Sequence, residues 1–165
     1  IDYKGYLIMP GFNDLHCHAS QYQYRGTCFD VELMEWLDTY TFPEESKFKD
    51  IEYAKKTYEI LVDYLVHSAT TRACIFSSIH TDATLELMCQ LEKNKICAYV
   101  GKVAMDRNSP SYYIEKNGVK ETIRYLDECE KRNYKFVKPT LLRLKLLLLD
   151  LLLPVQMNIW KPLVN

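Results

Sequence analysis

Pro10-Gly11-Phe12-Asn13-Asp14-Leu15-His16-Cys17-His18 follows directly on the apolar run Tyr6-Leu7-Ile8-Met9. The run reads as a short strand that ends at Pro10-Gly11, with the histidines just beyond that turn. In extended chain, residues two apart share a face and lie about 6.6 Å from one another. His16 and His18 can therefore present both rings to one ion, at the roughly 2.0 to 2.1 Å that zinc accepts from imidazole nitrogen. Cys17 points to the opposite face and is set aside as a ligand. On the residues alone two readings stay open: half of a metal site, or two solvated histidines at a strand end.

Downstream, apolar runs alternate with helical patterns. Val31 to Thr41 reads as a short helix, with Leu33, Met34, Trp36 and Leu37 on one face and Pro43 as its stop. Asp50 is the expected N-cap of a helix to His67 that buries Ala54, Tyr58, Leu61, Val62 and Leu65. A β-compatible run from Ala69 to Ile79 comes next, and Thr81-Asp82 offers a cap for a helix from Ala83 to about Lys93. Ile96 to Met105 reads as a buried strand. Val119 to Lys131 reads as a helix with Val119, Ile123 and Leu126 on one face, and Tyr134 to Lys138 as a further strand before Pro139.

Strands alternating with helices of this length imply βαβ units and a mainly parallel sheet, in about four β/α units. The 165 residues fall short of the roughly 250 of a complete (β/α)8 barrel. Half a barrel fits that length, and so does a small open α/β sheet. Glycine, at 5 residues, is too scarce for a fold rich in tight hairpins.

Lys plus Arg number 21 against 22 Asp plus Glu, a net charge of −1 that argues against a nucleic-acid-binding domain. The six cysteines are scattered without a CxxC pair and read as free thiols of a cytoplasmic protein. GxGxxG, GxxxxGK[ST] and GxSxG are absent, which removes nucleotide-cradling and serine hydrolase readings. From Leu141 to Leu153 every residue is Leu except Arg143, Lys145 and Asp150. That stretch is too short and too charged for a membrane span. The start at Ile1-Asp2-Tyr3, without Met, reads as an incomplete record.

Three more positions carry chemistry or mimic it. Gln21, in the loop leaving the His pair, offers an acceptor and a donor to a planar heterocycle, with Tyr22 and Tyr24 beside it as apolar contacts. An ordinary polar loop is the alternative. His80 follows a strand and precedes a helix, on the side where α/β folds build sites and where it could contact substrate, although a capping or loop role is the favoured reading of one histidine. His67 is read as interacting with its helix C-terminus.

The segment PGFNDLHCH resembles the PG-x-x-D-x-H-x-H opening of the amidohydrolase superfamily. Four further blocks resemble the guanine deaminases within it: His18-Ala19-Ser20-Gln21-Tyr22, then Glu35-Trp36-Leu37 with Tyr40-Thr41-Phe42-Pro43, then Ile79-His80-Thr81-Asp82, then Val100-Gly101-Lys102-Val103 with Met105-Asp106. The resemblance implies a partial (β/α)8 TIM-type barrel, truncated after about four units. Residues 1–9 would close a flanking β domain, 10–139 form the partial barrel, and 140–165 form a divergent Leu-rich tail. It further implies Zn2+ as cofactor, held by His16 and His18, with Ala19, Ser20 and Gln21 contacting the substrate guanine, and a homodimer in the intact family member. In the family reaction guanine becomes xanthine and ammonia, with an acidic residue moving protons.

Departures qualify that expectation. The family's remaining His, His and Asp ligands and its Glu lie past the end of the likeness, so the chain is expected to be inactive alone. No substrate role passes to Arg143. The Leu run suggests a shifted frame or a retained intron. Ala69 replaces a family Gly, and strain is expected at that turn. A noncatalytic half-barrel that pairs through its open sheet edges, and an amidohydrolase acting on another aminated ring, are the competing readings.

Overall fold

Four parallel strands lie side by side in chain order: β1 (Phe12–His18), β2 (Thr70–Phe76), β3 (Cys97–Gly101) and β4 (Val137–Pro139). The helices are α1 (Leu33–Trp36), α2 (Phe42–Ser46), α3 (Ile51–His67), α4 (Thr81–Lys93) and α5 (Gly118–Arg132). This computed structural model describes residues 1–27 and 30–140, so the Leu-rich run from Leu141 lies outside the described residues.

Burial picks alternate strand residues. Ala73 and Ile75 of β2, Ala98 and Val100 of β3 and Val137 of β4 join one core with Tyr58, Leu61, Leu87, Met88, Leu91, Tyr125 and Cys129 of the three long helices. The intervening Arg72, Cys97, Tyr99 and Lys138 stay exposed. Helices therefore cover one face of the sheet. A doubly wound sheet would reverse its strand order and carry helices on both faces. Sequential order with one covered face is the winding of a (β/α)8 barrel, and it decides between the two architectures left open by the alternation.

Local chemistry explains most boundaries. Asp50 accepts hydrogen bonds from the amides of Glu52 (2.9 Å) and Tyr53 (3.5 Å), which caps α3 as expected. Asn133 ends α5 in the left-handed region, with φ 46°, where its amide reaches the carbonyls of Cys129 and Glu130. A Cβ on Gly11 would stand 2.1 Å from Thr71 Cγ2, so only glycine lets β1 enter beside β2.

Several expectations fail for identifiable reasons. Tyr6 to Met9 form no strand, because β1 first pairs at Phe12, whose amide donates to the Ala69 carbonyl at 2.9 Å. Pro43 does not stop a helix. It sits in the first turn of α2, where a missing N–H costs nothing, and a π turn over Leu37–Thr41 joins α1 to it. Thr81 does not cap α4; it is the first helical residue, and its hydroxyl donates to Glu121 at 2.5 Å. On α5 the buried residues are Thr122, Tyr125 and Cys129, while Val119 and Ile123 are exposed. Tyr125 wins that face because its hydroxyl donates to the Val100 carbonyl at 2.6 Å while its ring fills the core. Ala69 is not among the residues with positive φ, so the expected strain is absent there.

Strand β4 is held from below by a single side chain. Glu92 of α4 accepts from the amides of Lys135 (2.8 Å), Phe136 (2.8 Å) and Val137 (3.1 Å). Against the cost of desolvation, those three amides hold its carboxyl below the ordinary range. Replacing Glu92 by Ala is expected to cost about 2 kcal/mol of local stability. Hydrogen exchange at the amides of Lys135, Phe136 and Val137 should accelerate by about tenfold or more; unchanged protection would refute the bridging role.

Candidate functional site

The two histidines lie at the C-terminal end of β1. Asp14 pairs with Ala73 and Cys17 with Ile75, so three steps on β1 match two on β2, and the bulge falls at Leu15 and His16. Across it the Nε2 atoms of His16 and His18 converge to 3.1 Å. Two nitrogens bound tetrahedrally at 2.0 to 2.1 Å would lie about 3.3 Å apart, so the pair fits one zinc-sized ion. Phe76 at the end of β2 backs both rings, with centroids 4.8 Å from His18 and 4.9 Å from His16. Among the described residues no group of three or more His, Cys, Asp or Glu is placed to hold a metal. Cys17 turns away as expected: its Sγ donates to the Cys74 carbonyl at 3.6 Å, and burial pushes the thiol up to about 12.

A cavity of about 500 Å3 opens beside His18 and is lined by Gln21, Tyr22, Tyr24, Arg25 and Trp36 among others. Ala19 and Ser20 are fully buried, so Gln21 is the one of the three expected substrate contacts that reaches this cavity. The Arg25 guanidinium lies 3.7 Å over the Tyr22 ring. Beneath the loop sits Glu45 of α2, 4 % exposed. It accepts from Ser20 Oγ at 2.8 Å, from Gln21 Nε2 at 3.3 Å and from the Tyr113 hydroxyl. Sequence reasoning stopped at Pro43, two residues short of Glu45. The partners lie 24 and 68 residues away in sequence, beyond any periodicity.

A second polar cluster stands past the ends of β2 and β3. Lys102 and Glu115 form a buried ion pair with side chains 2 % and 6 % exposed. Burial pushes Lys102 down and Glu115 up from their ordinary values. His80 is neither in the cavity by His18 nor beside the His pair; it lines another hollow with Glu115 and Arg124. His67 bonds within its own helix, Nδ1 lying 2.8 Å from the Asp63 carbonyl. No helix among the described residues is long and apolar enough to cross a membrane.

Comparison with known proteins places these features. The model of the amidohydrolase family matches residues 7–147. The chain is 43% identical over 136 residues to guanine deaminase of Homo sapiens, covering 81% of this chain and 30% of that protein. Against guanine deaminase of Dictyostelium discoideum the identity is 39% over 142 residues, or 84% of this chain and 31% of the relative. Among solved structures, guanine deaminase from C. acetobutylicum with bound guanine in the active site superposes with a TM-score of 0.75 at 45% identity, over 83% of this chain and 35% of that one. The chain thus spans about 30% of the length of the curated relatives that it matches.

Desolvation, then the charges of Lys102 and Lys49, lower His80 from 6.5 to about 4. The folded protein therefore keeps this imidazole neutral, while the unfolded chain takes a proton below 6.5. Its contribution is present above about pH 6.5 and is lost as the pH falls toward 4. Urea midpoints measured at about pH 7.5 and about pH 4.5 should fall less for His80→Asn than for the parent chain. An identical acid loss in both would count against the buried neutral imidazole.

Proposed function

The chain belongs to the amidohydrolase family, and from that premise we propose that it supplies the first half of the barrel of a guanine deaminase, which hydrolyses guanine to xanthine and ammonia. The observation that carries the reading is the convergence of the His16 and His18 nitrogens to 3.1 Å, beside a cavity that Gln21 and aromatic rings line. Imidazole nitrogens suit zinc among other first-row metals, and zinc is the metal we propose here. Bound there, it would supply Lewis acidity and make water a nucleophile near neutral pH.

The chain's own residues do the rest of the work assigned to this half. His16 and His18 would hold the metal, and Phe76 packs against both of their rings. Gln21 offers an acceptor and a donor to the purine edge. Tyr22, Tyr24 and Trp36 line the cavity with aromatic rings that would give a purine apolar contact. Ala19 and Ser20 support the loop from within the core rather than through their side chains at the cavity. Residues 1–9 would belong to a flanking β domain, and the working enzyme would be a cytoplasmic homodimer.

Catalytic zinc sites take three protein ligands, so two imidazoles do not complete one. The 165 residues expressed alone are therefore expected to form no xanthine from guanine. Residues 10–139 grafted in place of the matching segment of the human relative should restore guanine deamination. Within that chimera, His16→Ala or His18→Ala should lower turnover by about a hundredfold or more and weaken zinc retention in dialysis. A chimera that folds, binds zinc and leaves guanine untouched would refute the proposed substrate, and a purine panel would then identify another aminated ring.

A further inference from the structure

Glu45 is a carboxylate where an apolar residue would serve packing better. It is 4 % exposed in a helix of five residues, α2, whose neighbour Phe42 is core. Burying a charge is costly, and a buried ionic group is weak evidence for stability. What this carboxylate does have is a set of donors from separate parts of the chain. Ser20 Oγ and Gln21 Nε2 both reach its Oε1, at 2.8 and 3.3 Å, while the Tyr113 hydroxyl reaches Oε2. Ser20 Oγ also lies 3.3 Å from the Ser77 carbonyl, and Ser77 Oγ is 2.8 Å from the Tyr58 hydroxyl. The loop after β1, the end of β2 and the segment Ser111–Tyr113 are thereby tied to one buried point.

The consequence falls on Gln21. A glutamine amide can be turned over with little change in shape, which exchanges its carbonyl oxygen and its nitrogen. Beside Glu45 that freedom is lost. One orientation sets an N–H against the carboxylate, and the other sets a carbonyl oxygen against it, acceptor against acceptor. We propose that Glu45 is a positioning residue that locks the Gln21 amide in the first orientation, so that its carbonyl oxygen and second N–H are the atoms offered to the ligand. This rests on the reading of the cavity as a guanine site and deepens it. The amide so held matches a ring edge that carries an N–H donor next to an acceptor, and it disfavours an edge with the two exchanged. Specificity for the arrangement of donors on the purine would then originate in a residue that does not line the cavity.

The test uses the chimera in which residues 10–139 replace the matching segment of the human relative. Glu45→Gln keeps the size of the side chain and removes the charge, so that either orientation of Gln21 finds a partner. KM for guanine should rise about tenfold, with kcat changed less than about threefold, the equivalent of one misdirected hydrogen bond. Gln21→Ala should raise KM similarly, and the double variant should be no worse than Gln21→Ala alone. A purely structural role for Glu45 would instead lower the melting temperature and leave KM unchanged, or would add its full effect in the Gln21→Ala background; either result overturns the proposal. If the parent chimera does not deaminate guanine, the reading of the site fails, and the positioning claim is judged without substrate. The Nε2 proton of Gln21 that faces the carboxylate should then move upfield in Glu45→Gln. Signals identical in both proteins would overturn it.

Discussion

One-sided burial of the sheet is the constraint from which the rest follows. Ala73, Ile75, Ala98, Val100 and Val137 go under α3, α4 and α5, and this burial supplies the main apolar area of the described chain. Because strand side chains alternate, the same choice turns the intervening residues to the open face. His16 stands in the bulge and His18 just beyond it at the end of β1, with Phe76 from β2 at their backs. The two converging imidazoles thus sit where the helical layer does not reach. The core fixes the site by exclusion as much as by contact.

The parts of this arrangement that could be read in the sequence are those governed by short-range rules. Alternation, the Asp50 cap and the His-x-His spacing act within a few residues, and each is found as expected. The parts that could not be read depend on what lies beside an element. Tyr6 to Met9 have the composition of a strand but have no neighbour to pair with among the described residues. Val119 and Ile123 have the spacing of a buried stripe but lose the core to Tyr125, whose hydroxyl finds a carbonyl inside it. Pro43 is a helix breaker in the middle of a helix and harmless in its first turn, and composition does not say which applies. Resemblance supplied Gln21, whereas Glu45, which holds it, emerges only when three segments are brought together in space.

The two buried carboxylates show how similar groups take different parts. Glu45 accepts from the hydroxyls of Ser20 and Tyr113 and from the Gln21 amide. Glu115 faces the ammonium of Lys102, and burial pulls both of them toward their neutral forms. Removing one member of such a pair leaves an uncompensated charge, so Lys102 and Glu115 are tied to each other more tightly than either is to the fold. His80, lowered by burial and then by Lys102, sits on the hollow that Glu115 also lines. This cluster lies past the ends of β2 and β3, as the His pair lies at the end of β1.

That common edge has a physical origin. At the C-terminal ends of parallel strands the chain must leave the sheet and enter a helix, so backbone amides at helix starts and loop side chains accumulate on one side. Polar groups there are solvated or paired by neighbours rather than by the sheet ladder, which gives them freedom to bind. The opposite edge carries bonds such as those of Glu92 to the amides at the start of β4, which anchor the strand. A residue's place along a strand therefore carries functional meaning before its chemistry is considered. His16 and His18 gain theirs from standing at the correct end of β1, and the same two residues moved to its start would be solvated histidines, the other reading of the motif.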